Sequence, residues 1–443
     1  MLKKINEIAE KFLKESENKK ILVISHYDTD GITSASILAS CLKRLDKQFS
    51  IKIIKQLEKD FLEKVLRENE DKIIIFLDLG SGSIEFINSF KNEIYIIDHH
   101  EITSEPSQKI SIINPHLHNE EPLSGSCLTY LFAKEIDKEN KNLANLAIVG
   151  MVGDILDKNI GKIGNSILND SEIVVKKGLL LYPATRPLNK TLEFSSSMFI
   201  PGVTGSSMGA INMLREAGIG MQDGRYKTLI EINEEEMSKL ITAIVLRRNQ
   251  NDIEDFIGNI YLVKFSSRLE DARELSAMIN ACSRLDNSQV SLSLCIGSKT
   301  ARKKAEEIYA RYKRHIVDGL NFISDLNKIE GQDYTIINAK NNVKDTIIGT
   351  LASILSMSSV YKEGTAIITM AYNEDKIKVS ARIAGRRKDS NKNIREILDS
   401  VMQEIGGEVG GHAFAAGCLV PLEKEEIFIE VLKKRLEIEM IKI

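Results

Sequence analysis

The sequence predicts an α/β protein with a parallel, doubly wound sheet in an N-terminal lobe and a smaller, mixed α/β C-terminal lobe, joined by a connector. Three observations predict it. Short β-branched runs recur at residues 21–24, 73–78 and 94–97, each stopping at histidines or carboxylates, as buried parallel strands do at their carboxyl ends. Strand and helix patterns alternate at an interval suited to crossover units, whose ligand crevice lies at that same edge. At 443 residues the chain is longer than one hydrophobic core sustains, so two or three domains are expected.

The opening, MLKKINEIAEKFLKESENKK, spaces apolar residues helically without a continuous apolar run, which predicts an amphipathic helix and not a signal peptide. Residues 21–24 form the first strand, and the loop His26-Tyr27-Asp28-Thr29-Asp30-Gly31 turns into a small-residue helix, ITSASILASCLKRL. Small residues let that helix sit close to the sheet, and Gly31 permits the turn. The second strand, IIIFLD, delivers Asp78 to a glycine turn, and the third, IYII, ends in Asp98-His99-His100. After a loop with Pro106, Pro115 and Pro122, a helix is expected from about 126 to 137. The apolar stretch NLANLAIVGMVGDIL then reads as a helix whose end brings Asp154 inward.

From 158 to about 218, Pro183, Pro187 and Pro201 break the text, which predicts irregular closing elements and a connector. A helix follows over EINEEEMSKLITAIVLRRN, acidic at its start and basic at its end, in keeping with the macrodipole. Residues 258–325 are expected to alternate strand (GNIYLVKF), helix (DARELSAMINAC), strand (QVSLSLCIG) and a charged helix. The remaining chain repeats αβ character: strands at YTIINA, TAIITMAY and KIKVSARI, a helix around Thr350, another ending near Ile405, the glycine segment GGEVGGHAFAAG and a closing helix. These patterns divide the chain into an N-terminal domain at 1–200, an intermediate α/β region at 201–325 and a C-terminal domain at 326–443.

Composition narrows the class. Lys+Arg 60 against Asp+Glu 63 leaves a net charge of −3, so no global positive field draws nucleic acid, and any such contact must be a local patch. Arg386-Arg387-Lys388 and RYKRH at 311–315 offer such patches, though basic runs are more often solvated faces. The five cysteines are widely spaced with no CxxC pair, which argues against a disulfide framework or zinc ribbon and for buried thiols in a reducing cytoplasm. No run approaches membrane-spanning length, so no membrane partner is expected.

A lone strand-end histidine is more often structural than a ligand, and a lone aspartate more often a helix cap. Here His26, Asp28, Asp30, Asp78, Asp98, His99, His100 and Asp154 converge on one rim. Carboxylates gathered so closely repel unless a cation holds them, and oxygen ligands mixed with imidazole suit manganese, magnesium or zinc. Two cations bridged by a central carboxylate such as Asp78 would favour phosphate-ester hydrolysis.

HYDTDGITSA, LDLGSG, IDHH and VGMVGD resemble, in order, the four motifs of the DHH phosphoesterase superfamily, and GGHAFAAG is similar to the glycine-rich signature of its associated C-terminal domain. The resemblance runs from residue 21 to about 420 and, within the superfamily, is greatest to archaeal RecJ-like nucleases. It implies one metal on His26, Asp28 and Asp78, and a second on Asp30, Asp78, His99 and Asp154. It further implies that Asp98 orients a histidine ligand and that His100 faces the scissile phosphate. Mn2+ is the implied cofactor, two ions, with Mg2+ a weaker substitute. Arg382, Gly410, Gly411 and His412 are the implied substrate-binding residues, although Glu408 and Val409 interrupt the family's compact glycine run.

The expected activity is therefore a cytoplasmic, single-strand-specific exonuclease on DNA or RNA that releases nucleoside 5′-monophosphates, with replication or repair proteins as further partners. A phosphodiesterase for short oligonucleotides or cyclic dinucleotides is the alternative enzyme. A replisome scaffold is the alternative of another class, disfavoured because all the ligand positions are retained.

Overall fold

The computed structural model describes residues 1–195, 198, 200–248, 256–265, 268–358, 360–385, 393–407 and 409–441. The chain divides into two compact units, Met1–Tyr309 and Ala310–Ile443.

The first unit opens with α1 (Leu2–Glu15), which buries Ile5, Ile8, Ala9 and Phe12, the apolar face of the expected amphipathic helix. Then come β1 (Ile21–His26), α2 (Thr29–Arg44), β2 (Phe49–Ile54), α3 (Lys59–Glu68), β3 (Ile73–Leu77), α4 (Ile84–Ile87), β4 (Ile94–Ile97), β5 (Ile110–Ile113), α5 (Gly125–Ile136) and α6 (Ala144–Gly153). The five strands pair in parallel in the order β2-β1-β3-β4-β5. Strand order reverses between β1 and β3, the switch point where such sheets open a crevice at their carboxyl ends. β3 and β4 are buried along their whole length, as central parallel strands should be. The edge strands β2 and β5 carry no motif that announces them, and neither is expected from the sequence.

The stretch expected to be irregular is more ordered than its prolines suggest. It holds α7 (Lys162–Asp170), β6 (Val174–Leu179), α8 (Leu188–Glu193) and α9 (Ser207–Glu216), followed by a short hairpin of β7 (Met221–Gln222) and β8 (Arg225–Tyr226). The reason is long-range partnership. Glu121 caps α7, its carboxylate accepting the N–H groups of Lys162, Ile163 and Gly164 at 2.7–3.1 Å. β6 pairs antiparallel with β9 (Ile257–Phe265), roughly eighty residues on. The helix α10 (Glu234–Arg248) precedes β9, and β10 (Arg268–Asp271) completes a three-stranded antiparallel sheet.

α11 (Ala272–Arg284) is followed by α12 (Ser288–Cys295) and α13 (Lys299–Asp325). The strand expected at QVSLSLCIG is therefore a helix. Its alternating serines imitate a period of two, yet the buried residues are Val290, Ser291, Leu294 and Cys295, a helical set. Ser291 can be buried there because its hydroxyl donates to Ile279 O at 3.1 Å.

In the second unit, β11 (Ile329–Glu330), β12 (Tyr334–Asn338), α14 (Asp345–Ser356), β13 (Ala366–Asn373), β14 (Lys376–Ile383), α15 (Ile394–Ile405), β15 (Val409–His412), β16 (Ala415–Pro421) and α16 (Glu425–Ile441) match the expected alternation. They form a six-stranded mixed sheet in the order β11-β12-β13-β14-β16-β15. Its core joins Ile377, Val379, Ala381 and Ile383 of β14 to Leu398 and Val401 of α15 and Phe428 and Leu432 of α16. The residues of β14 between them, Lys378, Ser380 and Arg382, therefore face the other way.

All five cysteines are free and buried. Among the described residues no helix is long and apolar enough to cross a membrane.

Candidate metal centre

The carboxyl edge of the five-stranded sheet gathers the acids and histidines. β1 ends in His26, and Asp28 caps α2, its carboxylate accepting the Gly31 N–H at 3.0 Å. Only glycine fits at 31, because a Cβ there would lie 2.3 Å from His26 O. Asp30, in the first turn of α2, accepts the N–H groups of Gly125 and Ser126 at 2.6 and 3.0 Å. Those are the first residues of α5, so the positive end of that helix supports the carboxylate. Asp78 leaves β3 with φ 56°, left-handed backbone that Asp and Asn tolerate better than most residues.

Asp78 turns one oxygen to each side of the site. Its Oδ2 lies 3.3 Å from His26 Nδ1, which is 2.9 Å from Asp28 Oδ2. Its Oδ1 lies 3.2 Å from His99 Nε2, which is 3.1 Å from Asp154 Oδ2. Ligand atoms of His26, Asp28 and Asp78 lie within 4.8 Å of one another, as do those of Asp30, His99 and Asp154 and those of Asp78, His99 and His100.

The residues fit divalent cations on two counts. Both carboxylate oxygens of Asp78 and Nδ1 of His26 are buried and make no well-aligned hydrogen bond, facing other candidate ligands at 2.9–3.3 Å. Burying such groups unsatisfied costs several kcal/mol, roughly, and a cation removes that cost. The donor set is carboxylate oxygen and imidazole nitrogen, which suits manganese, magnesium or zinc.

Proton affinities show the same strain. Burial, and then the charge of Asp78, raises the Asp30 pKa to about 7. Burial likewise lifts Asp154 well above the ordinary carboxylate range, helped by Asp30 and Asp78. Burial opposes charge on His99, but Asp78, Asp154 and Asp30 outweigh it and hold its pKa at about 10. His26 is raised in the same way, burial being overcome by Asp28 and then Asp78. Without cations the centre thus retains protons that bound metal would displace.

Asp98, fully buried, fixes the next histidine. Its Oδ1 lies 2.7 Å from His100 Nδ1 and also accepts the N–H groups of His99 and His100, while Oδ2 accepts that of Ser81. Burial works against its charge, yet these bonds, His100's first, hold its pKa below the usual range. The ring that Asp98 orients is therefore that of His100, whereas His99 receives only a backbone contact from it. His100 is half exposed, and its Nε2 is left for a ligand.

In the second unit, Arg382 pairs in register with Ala415, which pairs with His412, and Ser380 pairs with Gly417, which pairs with Gly410. Arg382, His412 and Gly410 accordingly share one sheet face. Gly411 has φ 116°, and a Cβ there would sit 2.3 Å from Ala415 O. The Arg382 guanidinium is held by Ser353 Oγ at 3.0 Å and by Ala381 O at 2.8 Å. Arg386, Arg387, Lys388 and Glu408 lie outside the described residues. Arg311, Lys313 and Arg314 are exposed on α13 around the buried Tyr312.

Several supporting residues escape sequence reasoning. Gly150 approaches Asp30 so closely that a Cβ would lie 2.6 Å from its Oδ1. Asn114, buried, donates to Ser81 Oγ and His100 O, both at 2.9 Å. Gly125 and Ser126 stand in a run, SGS, that signals a helix start but not the carboxylate its N–H groups would meet.

Residues 20–151 match the model of the DHH family, N-terminal domain, residues 181–256 that of the DHH-CID domain, and residues 331–437 that of the DHHA1 domain. An uncharacterized protein of Methanocaldococcus jannaschii is 28% identical over 449 residues, covering 97% of each chain. RecJ of Thermus thermophilus, crystallised with Mn2+, is similar in structure with a TM-score of 0.60 at 16% identity, over 98% of this chain and 55% of that one. This chain thus spans little more than half of that relative's length. CDC45 of Entamoeba histolytica is similar with a TM-score of 0.67 at 12% identity, over 98% of this chain and 99% of that one. Three successive domain matches, in an order that accounts for the acids at the sheet edge and the glycines of the C-terminal sheet, make the chain a DHH-superfamily protein with a RecJ-like fold.

Proposed function

We propose that the protein is a metal-dependent exonuclease that hydrolyses single-stranded DNA or RNA and releases nucleoside 5′-monophosphates. The observation that carries this reading is Asp78, one buried carboxylate shared by two ligand sets, with an oxygen facing each and neither oxygen in a well-aligned hydrogen bond.

In this reading His26, Asp28 and Asp78 hold one cation, and Asp30, Asp78, His99 and Asp154 hold the other, with Mn2+ preferred and Mg2+ able to substitute. When bound, the pair supplies an activated water and neutralises charge on the phosphate under attack. The chain's own residues do the rest. α5 fixes the Asp30 carboxylate through two N–H groups, and Asp78 turns Oδ2 toward His26 and Oδ1 toward His99. Asp98 holds His100 by Nδ1, which leaves Nε2 to donate to a phosphate oxygen or to the leaving group. Because burial is outweighed by Asp98, His100 keeps its proton to a higher pH than an ordinary histidine.

The work divides along the chain as the sequence suggests. Residues 1–200 carry the hydrolysis, 201–325 form the intermediate region, and the sheet within 326–443 presents Arg382, Gly410, Gly411 and His412 to a phosphate of the strand. The cytoplasm is the proposed compartment, and replication or repair proteins are proposed partners.

The test is degradation of 5′-labelled and 3′-labelled strands of DNA and RNA, single and duplex, with Mn2+ or with chelator. Mononucleotide release from single strands only, dependent on Mn2+ and absent in Asp30→Ala, is expected. Equal cleavage with chelator, or full activity in the variant, would sink the proposal. Turnover of dinucleotides but not of longer strands would favour the short-substrate phosphodiesterase.

A further inference from the structure

We infer that Asn280 is a positioning residue of the metal centre, acting through Thr29, so that α11 belongs to the site although it lies in a stretch between the matched domains. The inference rests on the two-cation reading above.

Thr29 stands between two candidate ligands, Asp28 and Asp30, and is 1% exposed. Its N–H is the first of α2 and has no partner within the helix. The capping carboxylate of Asp28 does not serve it, being bonded to Gly31 N instead. The acceptor comes from far along the chain: Thr29 N donates to Asn280 Oδ1 at 2.9 Å. Two further bonds fix the same residue to the same helix. Thr29 Oγ1 donates to Ser276 O at 2.9 Å, and Ser276 Oγ donates to Thr29 Oγ1 at 3.1 Å.

Nor is there room to spare at this junction. A Cβ on Gly153 would lie 2.8 Å from Thr29 Cβ and 3.1 Å from Ser276 Oγ, and the next residue is the candidate ligand Asp154. Thr29 and Gly153, the chain neighbours of Asp28, Asp30 and Asp154, therefore meet α11 at one point.

α11 is itself fixed at its start. Asp271, fully buried, caps it by accepting the Arg273 N–H at 3.0 Å, and also accepts the Ala184 N–H at 3.0 Å from the stretch matched as DHH-CID. Residues 271–280 thus tie that stretch to the metal loop with buried bonds at both ends.

The consequence concerns geometry. Without the Asn280 carbonyl, the buried Thr29 N–H loses its acceptor, and the peptide that carries it joins Asp28 to Thr29, the residue before Asp30. Groups that orient ligands without touching the metal are worth about tenfold to a hundredfold in metal affinity.

The experiment titrates the full chain with Mn2+, reading free Mn2+ by electron paramagnetic resonance, for the wild type, Asn280→Ala, Asn280→Leu, Asn280→Asp and Thr29→Val. Asn280→Ala should bind Mn2+ about tenfold or more weakly, with an unchanged far-ultraviolet circular dichroism spectrum. Asn280→Asp keeps the acceptor and should return affinity to within about threefold of the wild type. Should Asn280→Ala not fold, Asn280→Leu decides, since it removes the same acceptor at nearly constant size and should weaken Mn2+ in the same direction, while Thr29→Val, which removes only the hydroxyl bonds to Ser276, should weaken it less. Wild-type affinity in the folded Asn280→Ala or Asn280→Leu variant, or no rescue by Asn280→Asp, would overturn the inference. A wild-type chain that binds no Mn2+ would overturn the two-cation reading and this inference with it, a result distinct from the other two.

Discussion

Asp78→Asn exchanges one carboxylate oxygen for an amide nitrogen at the side chain that both ligand sets share. Asparagine tolerates the left-handed backbone of this position, so the change is electrostatic and not conformational. A cation present at 100 times its dissociation constant stabilises the native state by about 2.7 kcal/mol, and a hundredfold loss of affinity leaves about 0.4 kcal/mol. Unfolding the unit Met1–Tyr309 carries an entropy of about 0.65 kcal/mol/K at the usual value per residue, so the difference of about 2.3 kcal/mol corresponds to roughly 3–4 °C in Tm. In the cation-free protein two effects oppose each other: Asp78 is, after burial, the largest cause of the raised Asp30 pKa, and it is also the first partner that holds the proton on His99. The difference between melting curves with Mn2+ and with chelator, taken within each protein, therefore isolates the cation. That Mn2+ increment should nearly vanish in Asp78→Asn, and an undiminished increment would refute the electrostatic reasoning.

Other outcomes follow from the same geometry. In chelator, stability should fall as pH rises: folded Asp30 titrates at about 7 against 3.8 when free, and His99 at about 10 against 6.5. Both groups bind protons more tightly when folded, so Asp30's contribution is lost between pH 4 and 7 and His99's between pH 6.5 and 10. Urea unfolding across pH 5–9 tests this, and a rise in chelated stability with pH would contradict it. Gly150→Ala puts a methyl group 2.6 Å from Asp30 Oδ1 and 2.1 Å from Ser126 Oγ; it should cost about 1–3 kcal/mol and abolish Mn2+ binding, as melting curves would register. Asp98→Asn removes the charge that keeps His100 protonated, so the alkaline limb of the pH–rate profile should move to lower pH with kcat reduced about 10–100-fold. An unmoved limb would remove His100 from the proton transfer.

The motif-bearing strands were legible because chemistry and burial coincide there: β1, β3 and β4 are continuous apolar runs that end in their own functional side chains. β2 and β5 lacked that punctuation, and β6 and α7 depend on partners distant in sequence, β9 and Glu121. α12 misled for a different reason, its serines imitating a strand's alternation while the buried one, Ser291, satisfied its hydroxyl against α11. At the site, the titratable residues stand out by type. Gly125, Gly150, Asn114 and Asn280 do not, because each acts by leaving space or by supplying one backbone or amide group to a residue far away.

The central claim is that one rim holds a pair of cations bridged by Asp78. Anomalous diffraction from crystals grown with Mn2+ measures it directly. Two peaks about 3.5–4 Å apart are expected, both in contact with Asp78 and flanked by His26 and Asp28 on one side and by Asp30, His99 and Asp154 on the other. A single peak, or a pair that Asp78 does not join, would contradict the account.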